Sequence, residues 1–332
     1  MKAIKIAILK LVFLLIVLIG TIAAYFVFTY EKTEDPAESI STATLPVITM
    51  KYREQNINVL NGYTNEMQGK YMRQALTPYG EDGTVTLDIE RYANVIAAIS
   101  YQVRSVDTER LIDSEEIKEW TTDGEDIYVT LNMSNIMKED TEYLLIINLV
   151  TETHGNVYYY VHLKNPSGQD IEKQLEFVYD FSRLTISKEV TEKYGAYLEY
   201  DPSTDSSNLA NVNIKSSYDN IQWGDLKVTR ATDPVVTIKE ILGNIGCYEL
   251  QYKVKAQDEY GTEEYYNVTE YFRLRTVSSG MYLDVYERKA NQIFNPNTQS
   301  VSSTRINLGL DDDLKIHYKT SPTGSYVSFV KE

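Results

Sequence analysis

The sequence is poor in the residues that most often carry chemistry. Among 332 residues it has one cysteine, three histidines and two tryptophans. The histidines, His154, His162 and His317, have no metal-ligand spacing, and Cys247 lies in an apolar stretch where a buried, inert thiol is expected. Nucleotide-binding loops, nucleophile elbows and dinucleotide fingerprints are also absent. The sequence therefore predicts no catalytic, cofactor-binding or metal-binding residue and no cofactor.

Basic residues are scarce relative to acidic ones. Lysine and arginine number 32 against 48 aspartates and glutamates, which gives a formal net charge of −16. A surface of this sign repels nucleic acid, so no nucleic-acid partner is expected. Asp311, Asp312 and Asp313 form an acidic run, but no EF-hand spacing follows it, which favours a solvated turn. A glycosidase needs only two carboxylates, and nothing singles out such a pair.

The first thirty residues are the longest apolar part of the chain. Lys2, Lys5 and Lys10 precede twenty uncharged residues, Leu11 to Tyr30. At about 1.5 Å per residue this run reaches about 30 Å, enough to cross a bilayer as a helix. Residues 1–30 are therefore predicted to be a cytoplasmic tip and a transmembrane signal anchor. A cleaved secretory signal is the alternative.

The lysines before the run place the N-terminus in the cytoplasm and the bulk of the chain outside the cell. The predicted localisation is thus a single-pass cell-membrane protein. An outward-facing chain with one cysteine is typical of a Gram-positive envelope, because many secreted eukaryotic modules carry several disulfides. Residues 31–44 are polar and contain proline, which indicates a flexible stalk.

Residues 45–165 are predicted to form a β-sandwich. Period-2 alternation broken by turn residues is typical of antiparallel strands. A short helical patch is expected at residues 65–76. The strand candidates are TVTLDIE, IAAISYQVRSV, DIYVTLNM, TEYLLIINLVT and NVYYYVHL.

One stretch of this region is more specific. In NIMKEDTEYLLIINLVTETHGN, Ile136 precedes a polar turn, and Thr141 and Tyr143 then open a long apolar strand. This resembles the E–F corner of fibronectin type III and immunoglobulin-like modules, over about residues 84–162. The resemblance implies that Tyr143 folds back and hydrogen-bonds upstream backbone. The core tryptophan of that family is absent from TVTLDIE, and there is no RGD loop.

Residues 166–290 are predicted to form an α+β unit, in which helices are followed by strands. The strand candidates are ANVNIKS, QWGDLKVT, VVTIKEIL, CYELQYKVKA, EEYYNVTEYFRLRT and MYLDVYERK. Asp170 is predicted to cap a helix that runs to about Arg183, and Ser187 to cap a second one. Four apolar residues are predicted to line one face of the first helix: Ile171, Leu175, Val178 and Phe181. The stretch EYFRLRTVSSGMYLDVYER resembles the last strands of an NTF2-like cone, with Met281 where that family often has tryptophan. The resemblance, over about residues 170–290, implies a cone-shaped domain that is non-catalytic in many members. A plain antiparallel sandwich is the alternative.

The end of the chain, residues 291–332, is predicted to be a β tail. SPTGSYVSFV resembles the opening of a TolB-type β-propeller blade, over about residues 313–332. One blade cannot bury its own faces, so a truncated propeller start and a simple hairpin both remain open.

The predicted fold class is therefore mainly β with an α+β part: a transmembrane helix, an immunoglobulin- or fibronectin III-like sandwich, and an NTF2-like domain. Tyrosine numbers 28, and exposed tyrosine is typical of surfaces that bind proteins and glycans. The expected function is a non-enzymatic, membrane-anchored binding or scaffold protein of the cell envelope, with a protein or cell-wall glycan as partner. The alternatives are a cell-wall-modifying enzyme whose catalytic part is absent from this chain or unrecognised in it, and a sensor or regulatory ectodomain acting through a membrane partner.

Overall fold

The computed structural model divides the chain into two units, Met1–Thr44 and Leu45–Glu332. In the first unit the structure describes six residues, all helical. The second unit is built mostly of β-strands. The described residues are 10, 14, 17–18, 20–21, 45–53, 55–79, 83–133, 138, 140–166, 170–204, 208–257, 261, 263–293, 318–321 and 326–329.

The predicted anchor of residues 1–30 falls mostly outside the described residues, and the stalk of residues 31–44 falls entirely outside them. Across the part of the chain that the structure describes, no helix combines the length and apolar character needed to cross a bilayer. The longest described helix, Ile171–Ser187, has 17 residues and exposes charged side chains along one face. This finding contradicts the transmembrane helix of the predicted fold class and the single-pass cell-membrane localisation that depended on it.

The first half of the large unit is a sandwich-like pair of sheets. Strands β1, β4, β8 and β7 are neighbours in one sheet, and β3, β10, β9, β5 and β6 form the other. Alternate residues such as Leu87 and Leu145 are buried between the sheets. The strands are β1 (Val47–Tyr52), β2 (Gln55–Leu60), β3 (Leu76–Pro78), β4 (Thr84–Glu90), β5 (Ile96–Ser105), β6 (Leu111–Ile117), β7 (Thr121–Asp123), β8 (Asp126–Asn132), β9 (Glu142–Thr151) and β10 (Gly155–Lys164).

The expected tyrosine corner is present. The hydroxyl of Tyr143, at the start of β9, accepts a hydrogen bond of 3.0 Å from the backbone N–H of Lys138. A second tyrosine, Tyr79, donates to the carbonyl oxygen of the same residue at 3.2 Å. Two hydroxyls therefore hold the backbone that leads into β9, which is the role that the resemblance implied for Tyr143.

The helical patch predicted at residues 65–76 is wrong. Only the residues Gly69–Tyr71 form a single 3₁₀ turn, and the rest of the segment is extended or irregular. Gly69 lies so close to the side chain of Leu144 that a Cβ at this position would overlap it. Close packing on the outer face of the second sheet therefore decides the conformation here, and the apolar spacing of the segment does not.

The second half begins with a helix, as predicted. The carboxylate of Asp170 accepts a hydrogen bond from the backbone N–H of Lys173, and the predicted face of the helix is buried against β14 and β15. The elements of this half are α1 (Ile171–Ser187), α2 (Val190–Tyr194), β11 (Asn211–Asn213), α3 (Tyr218–Ile221), β12 (Thr229–Arg230), β13 (Val235–Leu242), β14 (Ile245–Gln257), β15 (Glu263–Val277) and β16 (Gly280–Gln292).

Ser187 does not cap a second helix. It is the last residue of α1, and Lys188 follows it in the left-handed region with φ of 64°. The N–H groups of Lys188 and Glu189 both bond to the carbonyl of Leu184, which closes the end of the helix. The second helix, α2, begins at Val190 without a side-chain cap.

One long sheet joins the two halves. Its strand order is β11, β16, β15, β14, β13, β2, β1, β4, β8 and β7, and β12 pairs separately with β14. The halves meet where β2 and β13 run parallel, with Ile57 opposite Val236. Hydrogen-bonded sheet thus crosses the boundary expected near residue 165. Near the C-terminus, β17 (Tyr318–Thr320) and β18 (Val327–Phe329) form an antiparallel hairpin. Of the rest of the propeller-like segment, the structure describes only Ser321 and Tyr326.

Candidate functional site

A groove crosses the outer face of the long sheet at the point where its halves meet. It consists of two adjoining hollows of about 590 and 480 Å³. Side chains from β1, β2, β13, β14 and β15 line it, together with Tyr179 of α1. The two hollows share Val59, Asp233 and Val235. We call this feature the sheet groove.

Strand alternation places polar side chains in the sheet groove. In β14 the side chain of Tyr252 turns into the core, whereas Gln251 and Lys253 on either side are exposed on the outer face. The antiparallel register sets Gln251 opposite Thr269 and Lys253 opposite Asn267 in β15. Four polar side chains therefore form a compact cluster on two neighbouring strands.

The lining of the sheet groove is polar and nearly neutral. Three lining residues are charged, Lys51, Asp233 and Lys253, in a chain whose net charge is −16. Lys51 is already paired, since its Nζ lies 3.5 Å from a carboxylate oxygen of Asp88. Because amide and hydroxyl groups both donate and accept hydrogen bonds, this lining suits a ligand rich in hydroxyls. The amides and threonines are Gln55, Asn56, Asn61, Gln251, Asn267, Thr49, Thr232, Thr237 and Thr269.

A second concavity, which we call the helix cleft, lies along α1. Its volume is about 670 Å³, and it shares Gln55 and Tyr179 with the sheet groove. One wall carries Asp180, which accepts hydrogen bonds from Arg183 and Lys193 at 2.6 Å and from the hydroxyl of Tyr194 at 2.9 Å. Burial alone raises the pKa of Asp180, but these hydrogen bonds outweigh it and lower the pKa to about 2.

A chain of hydrogen bonds runs from the helix cleft into the core. Arg230 donates from Nη2 to the Ser182 hydroxyl at 2.8 Å, which lies 3.4 Å from the Tyr252 hydroxyl. Tyr252 in turn donates to Glu270 at 3.1 Å, and Tyr286 donates to the other carboxylate oxygen at 2.8 Å. Burial raises the pKa of both tyrosines, so each keeps its proton and remains a donor. We call this set the polar chain.

Another cluster of charged groups, centred on Glu142, connects secondary-structure elements to one another. His162 is buried, and its Nδ1 lies 2.5 Å from the Glu142 carboxylate. Arg73 bonds to the same carboxylate at 2.8 Å and to Glu240 at 2.9 Å. Led by the His162 hydrogen bond, these contacts lower the pKa of Glu142 to about 2 against the opposing effect of burial. The cluster fastens the segment before β3 to β9, β10 and β13, and it does not open into either concavity.

The other residues considered for chemistry are scattered. His154 lies in the turn between β9 and β10, and Cys247 is a buried free thiol in β14. His317 and Asp311–Asp313 lie outside the described residues. Within the described ranges, no group of three or more histidine, cysteine or acidic side chains is arranged to hold a metal ion.

Comparison with known proteins adds no relative, since no family model and no curated protein matches the chain. The fold itself defines a mostly β, sandwich-like protein with mixed sheets, loosely compatible with an immunoglobulin- or fibronectin III-like module. Sequence reasoning did not find the sheet groove. Strand alternation could have placed Gln251 and Asn267 on an outer face, but it gives no signal that β2 would lie beside β13.

Proposed function

We propose that this chain is a non-enzymatic binding protein whose sheet groove holds a neutral, hydroxyl-rich glycan. The observation that carries the proposal is the lining of amide and threonine side chains in an otherwise strongly acidic chain. Sugar hydroxyls both donate and accept, and they are matched by side chains that do the same. A cell-wall glycan is the partner class that this chemistry favours over a charged protein surface.

Several lining side chains are available to a ligand. Among the described residues, Asn61, Asn267 and Thr237 make no side-chain hydrogen bond, and both asparagines are exposed. Asn267 and Thr237 stand on strands held in register by neighbours on both sides, so binding orders little backbone. A rigid sheet with unoccupied polar side chains is a sound basis for hydrogen-bonded recognition.

The test is calorimetric titration of the full chain with chitohexaose, a neutral oligomer of N-acetylglucosamine, and with cellohexaose. The double variant Gln251→Ala, Asn267→Ala is expected to bind the tighter of these two ligands about 5- to 150-fold more weakly, because each of the two lost hydrogen bonds contributes about 0.5–1.5 kcal/mol. Gln257→Ala is the matched control, since Gln257 is also exposed and lies on the same face of β14 outside the groove.

Two outcomes would refute the proposal. One is that neither oligosaccharide binds the unmodified chain. The other is that the double variant binds as tightly as the unmodified chain, which would move the contact elsewhere. Release of soluble fragments from peptidoglycan by the full chain would instead favour a cell-wall-modifying enzyme.

A further inference from the structure

The positively charged side chains of the helix cleft are not equivalent. Lys173 lies 2.5 Å from Asp170, and Arg183 and Lys193 both bond to Asp180 at 2.6 Å. Arg230 lines the same cleft, and no carboxylate of the described residues lies within 4.0 Å of its guanidinium. Within the described part of the chain its charge is therefore unpaired, in a cleft where each of the other three cations contacts a carboxylate.

Arg230 is also held in one position. Its guanidinium lies 4.8 Å from the centre of the Tyr252 ring, and its Nη2 donates to Ser182. The Ser182 hydroxyl connects through Tyr252 to the buried carboxylate of Glu270, so the polar chain ends in a fixed anchor. Because its position is already fixed, this guanidinium loses little conformational entropy when it forms a bidentate hydrogen-bonded pair with a carboxylate or phosphate.

The buried part of this side chain lacks a partner. Its Nε is out of contact with water and makes no hydrogen bond with any described residue. Partly desolvating an arginine without a counter-ion is unfavourable, and the penalty falls when an anion pairs with it. An anion bound in the cleft would therefore stabilise the guanidinium of Arg230.

We propose that the helix cleft binds a carboxylate or phosphate group on the guanidinium of Arg230. The ligand class is an acidic sugar, either a sugar acid or a sugar phosphate. This choice rests on the proposed function, because Gln55 and Tyr179 line both the cleft and the sheet groove. A glycan whose neutral sugar units lie in the groove then places one acidic substituent in the cleft.

The acidic side chains of the cleft are too few and too well screened to repel a bound anion. They are Asp180 and Glu176, against four lining cations, Lys173, Arg183, Lys193 and Arg230. Asp180 is occupied by three donors. Glu176 is exposed, so water screens its charge. The cleft thus has a positive balance in a chain of net charge −16.

The test compares glucuronate, glucose 1-phosphate and neutral glucose, titrated into the full chain at constant ionic strength and followed by NMR chemical shifts. At least one acidic sugar is expected to bind tenfold or more tightly than glucose, and the tighter of the two identifies the oxyanion. Arg230→Gln should remove this preference. Arg230→Lys should keep part of it, because the charge remains and the fork is lost. Arg273→Gln, an exposed arginine on β15, removes the same charge outside the cleft and should leave the preference unchanged.

Equal binding of acidic and neutral sugars by the unmodified chain would overturn the proposal, and so would an Arg230→Gln variant that keeps the preference. If Arg230→Gln does not fold, inorganic phosphate is titrated into the complex of the unmodified chain with the acidic sugar. If phosphate does not displace the sugar, the proposed anion site is refuted. The double variant Gln251→Ala, Asn267→Ala should weaken chitohexaose and leave glucuronate unaffected. The proposals for the sheet groove and for the helix cleft can therefore be refuted independently of each other.

Discussion

The side-chain oxygen of Asn58 accepts a hydrogen bond from the backbone N–H of Ile238 at 2.7 Å, across the junction of the two halves of the long sheet. The amide nitrogen of Asn58 donates to the carbonyl of Leu76 and the hydroxyl of Thr77, both at 2.9 Å. Asn58 is fully buried and has φ of 49°, a left-handed conformation that asparagine tolerates better than most residues. One side chain thus connects β2, β3 and β13 and maintains the edge of the sheet groove.

Replacing Asn58 is expected to destabilise the whole unit. Asn58→Ala leaves the N–H of Ile238 and the carbonyl of Leu76 buried without their partner, and it forces alanine into positive φ. Two unsatisfied buried groups and the backbone strain predict a loss of about 3–5 kcal/mol in the free energy of unfolding, measured with urea. Asn61→Ala, at an exposed position three residues on, should change it by less than about 0.5 kcal/mol. A loss below about 1 kcal/mol for Asn58→Ala would mean that the junction is held by other contacts.

Removing the Tyr143 hydroxyl of the tyrosine corner should reduce the free energy of unfolding by less than Asn58→Ala does. Tyr143→Phe keeps the buried ring and removes the hydroxyl that accepts from the N–H of Lys138. A single neutral hydrogen bond predicts a loss of about 1 kcal/mol in unfolding free energy. Tyr71→Phe is the matched control, because that side chain is 73% exposed. Equal stability of the two variants would show that the corner contributes nothing beyond ring packing.

Local sequence patterns predicted several of the individual strands and helices correctly. The alternation in TVTLDIE gave β4 with the same bounds, Thr84–Glu90, and the apolar spacing after Asp170 gave the buried face of α1. These signals are local, since strand and helix periods involve residues a few positions apart. The contact between Asn58 and Ile238 links positions 180 residues apart, and no local period encodes it. The sheet groove depends on that contact, and so it could not be predicted.

One strand prediction is wrong because a long-range contact overrides the local pattern. The stretch QWGDLKVT alternates as a strand does, yet only Thr229 of it is in one. Trp223 adopts φ of 67°, and the guanidinium of Arg288 lies 3.6 Å from the centre of its ring. Arg288 is fully buried and donates to the carbonyls of Asn220 and Ile221. A tertiary contact with a residue 65 positions later in the chain thus overrides the local pattern here.

The lowered pKa of Glu142 predicts a pH-dependent contribution to stability. Its pKa is about 2 in the folded state, below the ordinary value of 4.5. A depressed carboxyl pKa stabilises the folded state above about pH 4.5, and this contribution is lost as the pH falls towards 2. Glu142→Gln should therefore reduce the free energy of unfolding by about 1–3 kcal/mol at pH 7, and by progressively less as the pH falls from 5 to 2.

Urea unfolding at a series of pH values measures this difference. Glu116→Gln, at an exposed position in β6, is the matched control and should give a small difference with no trend over the same range. Glu142 receives its hydrogen bonds from Arg73 and His162, so the loss should be specific to this carboxylate. A Glu142→Gln difference that stays constant from pH 7 to pH 2 would contradict the assignment.

Tyr252 positions Arg230 through the polar chain, and the effect of its hydroxyl can be measured separately from that of its ring. Tyr252→Phe retains the ring beneath Arg230, removes one donor from Glu270 and disconnects Ser182 from the anchor. We expect a loss of about 1–3 kcal/mol in unfolding free energy. We also expect severalfold weaker binding of glucuronate, because the Ser182 hydroxyl that accepts from Arg230 loses its own hydrogen-bond partner.

Tyr286→Phe supplies the control within the same network. It removes the other donor to Glu270 at a fully buried position, but Tyr286 makes no hydrogen bond to Ser182 or Arg230 among the described residues. Its stability loss should be similar, whereas its affinity for glucuronate should equal that of the unmodified chain. If both variants weaken glucuronate equally, the effect comes from general loosening of the core. If neither does, Arg230 is oriented by its contact with the ring alone, and the polar chain serves only to satisfy buried Glu270.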